Sequence, residues 1–285
     1  VRYTTQMLGT DLLPVWYLLL TVFFLGAIVG SFCNVVAYRF HTGRSINGRS
    51  HCLSCGQQLR WFELVPLASY LIQRGRCRRC RARVPVRYFA VEIATGSLFL
   101  SAWIAASTGL ELALFWLLSM LAIVTVIYDF YHFVIPDEFT GGFFALAILQ
   151  FGLYAYAGIL SLETLGYSVL AASAASGFFF ALWYFSQGRW LGFGDVKLAF
   201  PHALMVGEHG AFSFVVLSFW IGAATSILIM AGLWLRQRGQ PHLQFSDRPL
   251  TMQSAVPFAP FLVASFLAVR FFGIDVIALL TYAPS

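Results

Sequence analysis

Two sets of residues in this chain have the types and spacing for chemistry. The first is four cysteines in two tight pairs, Cys52-x2-Cys55 and Cys77-x2-Cys80. Each pair lets two thiolates grip one ion from a single turn, and two pairs complete a tetrahedral site of the structural zinc type. The second set is two aspartates at the edges of apolar runs. Asp129 closes Val126-Ile127-Tyr128-Asp129, and Asp195 stands in Gly192-Phe193-Gly194-Asp195-Val196-Lys197. Ionisable residues at membrane depth are costly and are rare without a role. Facing carboxylates have a clear use: one takes a proton from water while the other, still protonated, donates to a carbonyl under attack. Two carboxylates about 4 Å apart at an effective dielectric near 20 repel by roughly 4 kcal/mol. That is about three pKa units between the two ionisations, enough to keep such a pair singly protonated near neutral pH.

Each residue also has a plain structural reading. Asp129 could end a helix at an interface, and Asp195 could be a first-turn residue favoured by the helix dipole. Asp137, just after Pro136, fits the start of a helix better than a catalytic role. Gly192 and Gly194 are expected to let the backbone turn sharply and a substrate strand approach Asp195. Lys197 follows two residues after Asp195, so on a helix it points elsewhere and reads as a snorkelling or local electrostatic residue. Cys33 lies inside an apolar run and reads as a small buried side chain.

The elements that must hold these residues follow from composition. The 285 residues are 59% hydrophobic and only 11% charged, with a mean hydropathy of +0.77, far too apolar for a soluble domain. Runs near the roughly 20 residues that cross a bilayer fall at Pro14 to Ala37, Tyr88 to Ser107, Leu112 to Tyr128, Pro136 to Ala157, Leu165 to Phe185, Val196 to Val206, Ala211 to Leu235 and Gln253 to Leu280. The sixth is short. The first lacks the basic start and small-residue cleavage site of a signal peptide, and is expected to stay as a span. The fold class is therefore an all-α polytopic membrane protein of about eight transmembrane helices, with a small four-cysteine domain between the first and second.

Charge sets the orientation. The cysteine island carries Arg39, Arg44, Arg49, Arg60, Arg74, Arg76, Arg78, Arg79, Arg81, Arg83 and Arg87. Short basic loops stay in the cytoplasm, so the island is expected inside and the amino terminus outside. The net charge of +6 then reflects topology and attraction to anionic lipid, and no nucleic-acid partner is expected. A reducing compartment disfavours two disulfides and favours thiolates on a metal, whose binding supplies folding energy to a loop of about 50 residues with little apolar core. The expected organisation is a first span over 1–37, a cytoplasmic zinc-binding domain over 38–87 and a membrane core over 88–285.

The order of these features resembles one family. Gly30-Ser31-Phe32-Cys33-Asn34-Val35-Val36-Ala37-Tyr38-Arg39 precedes Cys52-x2-Cys55. Arg60-Trp61-Phe62-Glu63-Leu64-Val65-Pro66-Leu67, Arg74-Gly75-Arg76-Cys77-Arg78-Arg79-Cys80, Arg87-Tyr88 and Val91-Glu92 follow. Then come Asp129 before Ile135-Pro136-Asp137, Gly192-Phe193-Gly194-Asp195-Val196-Lys197-Leu198, and Val256-Pro257-Phe258-Ala259-Pro260-Phe261. The chain is similar to the type IV prepilin peptidases, inner-membrane aspartic proteases of the GxGD class, from about Gly30 to Phe261. That resemblance implies a peptidase that cuts the basic leader from prepilins and pseudopilins after a glycine, on the cytoplasmic side of a bacterial inner membrane. It also implies N-methylation of the new amino terminus with S-adenosylmethionine. Asp129 and Asp195 match the family's catalytic pair.

Four places depart from the family pattern, and at the first of them Cys33 stands where leucine is often found, without consequence for function. Tyr131 stands where many relatives have a further aspartate, which removes a competitor to Asp129. Pro201-His202 replaces small residues and predicts a kink in the sixth span, and Ala259 stands where glycine is usual. Two other classes fit parts of the chain: a transporter using the membrane aspartates to relay protons or bind a cation, or a membrane-tethered adaptor built on the cysteine domain.

Overall fold

A computed structural model describes residues 14–42, 47–239 and 257–281, which divide into two compact units, Val1–His132 and Phe133–Ser285. The described residues hold helices and two isolated β-bridges, with no strand among them. Gln253 to Val256 of the last expected run, and Arg44 of the basic island, lie outside the described residues.

In the first unit, α1 (Val15–Arg39), α3 (Val86–Ala105) and α4 (Gly109–His132) pack against one another. The cysteine segment and the short α2 (Ala68–Ile72) lie between α1 and α3 in the chain. Small residues let α1 and α3 meet closely: a Cβ on Gly26 would sit 2.8 Å from Phe99, and one on Gly30 2.7 Å from the Thr95 hydroxyl. Gly26 and Gly30 are four apart, the small-xxx-small spacing by which membrane helices bring their backbones together. Asp129 lies in the last turn of α4, which runs past the expected end at Tyr128 as far as His132.

In the second unit, α5 (Asp137–Tyr156), α6 (Leu162–Ser186), α8 (Ala259–Phe272) and the short α9 (Val276–Thr281) all pack on α7 (Phe193–Gly239). Pro136 caps α5 and Ser161 caps α6, its hydroxyl accepting the Thr164 N–H at 3.0 Å. The sixth and seventh expected runs form one segment, α7, interrupted at Gly207 with φ of 75° and ψ of −177°. Only glycine takes that backbone without penalty. The helix stays regular through Pro201, so the expected kink falls six residues later. The first seven expected runs are helical, and the described part of the eighth is two short helices parted at residues 273–275, but only six helices among the described residues are long and apolar enough to cross a membrane. The other changes are the merging at α7 and the 14 residues of α8.

Candidate functional site

The two cysteine pairs are built on the same backbone plan. In the first hairpin Cys52 N–H donates to Gln57 O at 2.9 Å, Gly56 N–H donates to Cys52 O at 2.9 Å, and His51 bridges Gln58. In the second, Cys77 N–H donates to Ala82 O at 2.8 Å, Arg81 N–H donates to Cys77 O at 2.9 Å, and Arg76 bridges Arg83. The residue after the second cysteine is left-handed in both, Gly56 at φ 67° and Arg81 at φ 59°. Arg79 donates to the Gln57 side chain and so links the two hairpins.

The four sulfurs lie within 4.8 Å of one another, and Cys52 and Cys80 are 3.9 Å apart. Four thiolates about 2.3 Å from a zinc ion stand roughly 3.8 Å apart, so the cluster fits a tetrahedral metal with little adjustment. The amides of Cys55 and Ser54 hold the Cys52 thiol down at about 6. At Cys80 the Ala82 amide lowers the thiol, but desolvation and the neighbouring Cys77, Cys55 and Cys52 together push it up to about 11. Metal binding takes the thiolate form, so it displaces the protons that the thiols still carry.

The segment between the hairpins is tied to the membrane helices by a residue that spacing alone did not mark as functional. Leu67 has φ 61° and ψ −53°, and Ala68 N–H donates to Pro66 O at 2.6 Å, the geometry of a strained γ-turn. Leu67 N–H donates to the carboxylate of Glu92, which lies within α3 and is 8% exposed. Glu92 had entered only as part of a motif; an acidic residue inside an apolar run was the available signal.

Asp129 is 5% exposed in the last turn of α4. Next to it, Tyr128 packs on His132 with ring centres 4.3 Å apart and edge-on to Phe40 at 5.9 Å. Tyr131 lies under the Arg87 guanidinium at 4.5 Å. Asp195, 6% exposed, is the third residue of α7. Its carboxylate accepts the Gly192 N–H at 3.2 Å, and its own N–H donates to Gly192 O at 3.2 Å, a cap that fixes the side chain by the backbone just before the helix.

Gly192 and Gly194 flank Phe193 just before Asp195. Neither is left-handed. A Cβ on Gly192 would meet the Asp195 carboxylate at an ordinary 3.4 Å, whereas one on Gly194 would press on Ile135 at 3.1 to 3.3 Å. Gly194 therefore makes room for the segment leading into α5. Lys197 completes that junction through an ion pair with Asp137, its ammonium also 5.6 Å from the Phe193 ring centre. Asp129 belongs to the first unit and Asp195 to the second.

Family models match two stretches of the chain. The bacterial peptidase A24 N-terminal domain covers residues 24–106, and the type IV leader peptidase family covers residues 115–227. The four cysteines fall in the first stretch and both aspartates in the second. A prepilin leader peptidase/N-methyltransferase of Burkholderia pseudomallei strain 1026b is 31% identical over 282 residues, covering 87% of this chain and 84% of that protein. One of Bacillus subtilis strain 168 is 28% identical over 258 residues, covering 90% and 95%. One of Vibrio cholerae serotype O1 is 30% identical over 196 residues, covering 63% and 74%. No solved structure matches.

Proposed function

This chain belongs to the type IV leader peptidase family, and from that premise we propose that it removes the leaders of prepilins and pseudopilins and N-methylates the new amino terminus. Hydrolysis uses Asp129 and Asp195. One carboxylate takes a proton from water, whose oxygen adds to the scissile carbonyl; the other protonates that carbonyl, and the C–N bond breaks as the leaving amine receives a proton. No covalent intermediate is needed. The observation that carries this reading is the Asp195 carboxylate, buried at the start of an apolar helix and oriented by the Gly192 amide. Asp129, equally buried at a helix end, supports it. Gly192, Gly194 and Lys197 are positioning residues: Gly192 and the Ile135 contact set the start of α7, and the Lys197–Asp137 pair ties it to α5.

Cys52, Cys55, Cys77 and Cys80 hold zinc as a scaffold for the 38–87 segment, with 1–37 as the first span and 88–285 as the peptidase core. The metal supplies folding energy to that segment. S-adenosylmethionine supplies the methyl group. The arginine-rich island lies on the cytoplasmic side of the inner membrane, where a prepilin's basic leader remains while its apolar helix sits in the bilayer. The glycine before the cut lowers helix stability by about 1 kcal/mol and helps the backbone open.

The test incubates purified protein with a prepilin and isotope-labelled S-adenosylmethionine and reads the new amino terminus by mass spectrometry. Asp129→Asn and Asp195→Asn are each expected to insert normally, retain zinc and lose cleavage. Turnover by either variant refutes the assignment. A cleaved but unmethylated product from the unaltered protein refutes the second activity alone.

A further inference from the structure

The first unit contains a cavity of about 230 Å³ walled by α1, the cysteine hairpins and the start of α3. Its lining combines three chemistries. Glu92 contributes a buried carboxylate, Arg76 and Arg83 are exposed, and half-buried Tyr38, Tyr70 and Phe89 contribute rings. Tyr70 and Phe89 already stack, with ring centres 5.1 Å apart.

A buried carboxylate beside aromatic faces is the chemistry that receives a cation whose charge is spread over carbon-bearing substituents, such as a sulfonium. Exposed guanidiniums suit an amino-acid carboxylate, and aromatic rings suit a purine. A substrate amine would call on only the first of these features. S-adenosylmethionine calls on all three, so the residues present fit the donor. We infer that this cavity is the methyl-donor site, with Glu92 facing the donor's positive charge. The inference rests on the methylation reading above. It also gives the cysteines a task, because Cys52 and Cys77 are part of the wall and a bound metal would hold that wall in shape.

Two substitutions test the location in the full-length protein in detergent. Glu92→Gln removes the charge but keeps a carbonyl to accept the Leu67 N–H, so the turn survives. Val35→Trp fills the cavity from α1 and leaves Glu92 alone. Binding of labelled S-adenosylmethionine is measured by equilibrium dialysis, and ultraviolet cross-linking of the same ligand is mapped by peptide mass spectrometry. Zinc content and prepilin cleavage report folding.

Each variant is expected to weaken donor binding at least tenfold with zinc and cleavage retained, and cross-links are expected on peptides bearing Tyr38, Tyr70 or Phe89. Unaltered binding in Val35→Trp, or cross-links confined to other peptides, overturns the location and leaves methylation standing. An unaltered protein that neither binds the donor nor transfers a methyl group overturns the methylation reading, and this inference with it. Should Glu92→Gln lose its zinc, Val35→Trp and the cross-link map decide.

Discussion

The two cysteine hairpins share one backbone plan but differ at its most demanding residue, which permits a quantitative swap. Gly56 and Arg81 occupy the same left-handed position, at φ 67° and 59°. A side chain there costs about 1–2 kcal/mol, while glycine forfeits about 0.4–1 kcal/mol through its freedom in the unfolded chain. The net penalty for a Cβ is therefore about 1 kcal/mol. Nothing lies within 4 Å of a Cβ on Gly56, and Arg81 is exposed, so packing does not blur the comparison. If metal binding and hairpin folding are one equilibrium, about 1 kcal/mol is roughly fivefold in zinc affinity.

Gly56→Ala is expected to weaken zinc about fivefold and Arg81→Gly to tighten it about fivefold, leaving the two variants roughly 25-fold apart. Arg81→Ala controls for the lost charge, since a neighbouring guanidinium favours thiolates. It keeps the strain, so the backbone effect is the difference between glycine and alanine at position 81. The assay is competition against a chromogenic zinc chelator with the whole protein in detergent. Equal affinity of Arg81→Gly and Arg81→Ala would refute the argument, because it would mean that the left-handed residue costs the metal site nothing.

Other measurements follow from single contacts. Gly194→Ala presses a methyl on buried Ile135 and should cost about 1–3 kcal/mol by overpacking, with cleavage down about tenfold; Gly192→Ala, at ordinary contact distance, should cost far less, and thermal unfolding with prepilin turnover would expose equal effects. Asp137→Asn breaks an ion pair whose Asp137 side chain is largely exposed, and should change stability by less than about 1 kcal/mol with cleavage within about threefold; loss of turnover with stability unchanged would overturn the reading of this pair as a simple tie between α7 and α5. In metal-free protein the thiolate of Cys52 forms as pH rises through about 6, whereas that of Cys80 forms near 11. Alkylation resolved by mass spectrometry should therefore label Cys52 at pH 7 and Cys80 only in strong alkali, and equal rates at pH 7 would show that the hairpins do not keep this geometry without metal.

What was legible in the sequence was local or periodic. Paired cysteines two residues apart dictate a shared turn, and long apolar runs dictate helices because a bilayer leaves no other partner for the backbone. Arg76, Arg78, Arg79, Arg81 and Arg83 mark the polar island by composition alone. Asp129 and Asp195 stood out because carboxylates at the edges of apolar runs are expensive. Tertiary structure decided the rest, since it depends on neighbours distant in the chain. Gly194 is small because Ile135 occupies the space its Cβ would need, which no spacing rule encodes. The bend at Gly207 instead of Pro201 depends on a positive φ that an amino-acid letter permits but does not require. Glu92 is one acidic letter in an apolar run until the chain returns with Leu67 to meet it. The cavity in the first unit exists only because α1, the hairpins and α3 close around one space. The sequence by itself determined which residue types and spacings could do chemistry, because cost and spacing are properties of a linear chain; packing determined what those residues face, because only folding brings distant side chains within reach.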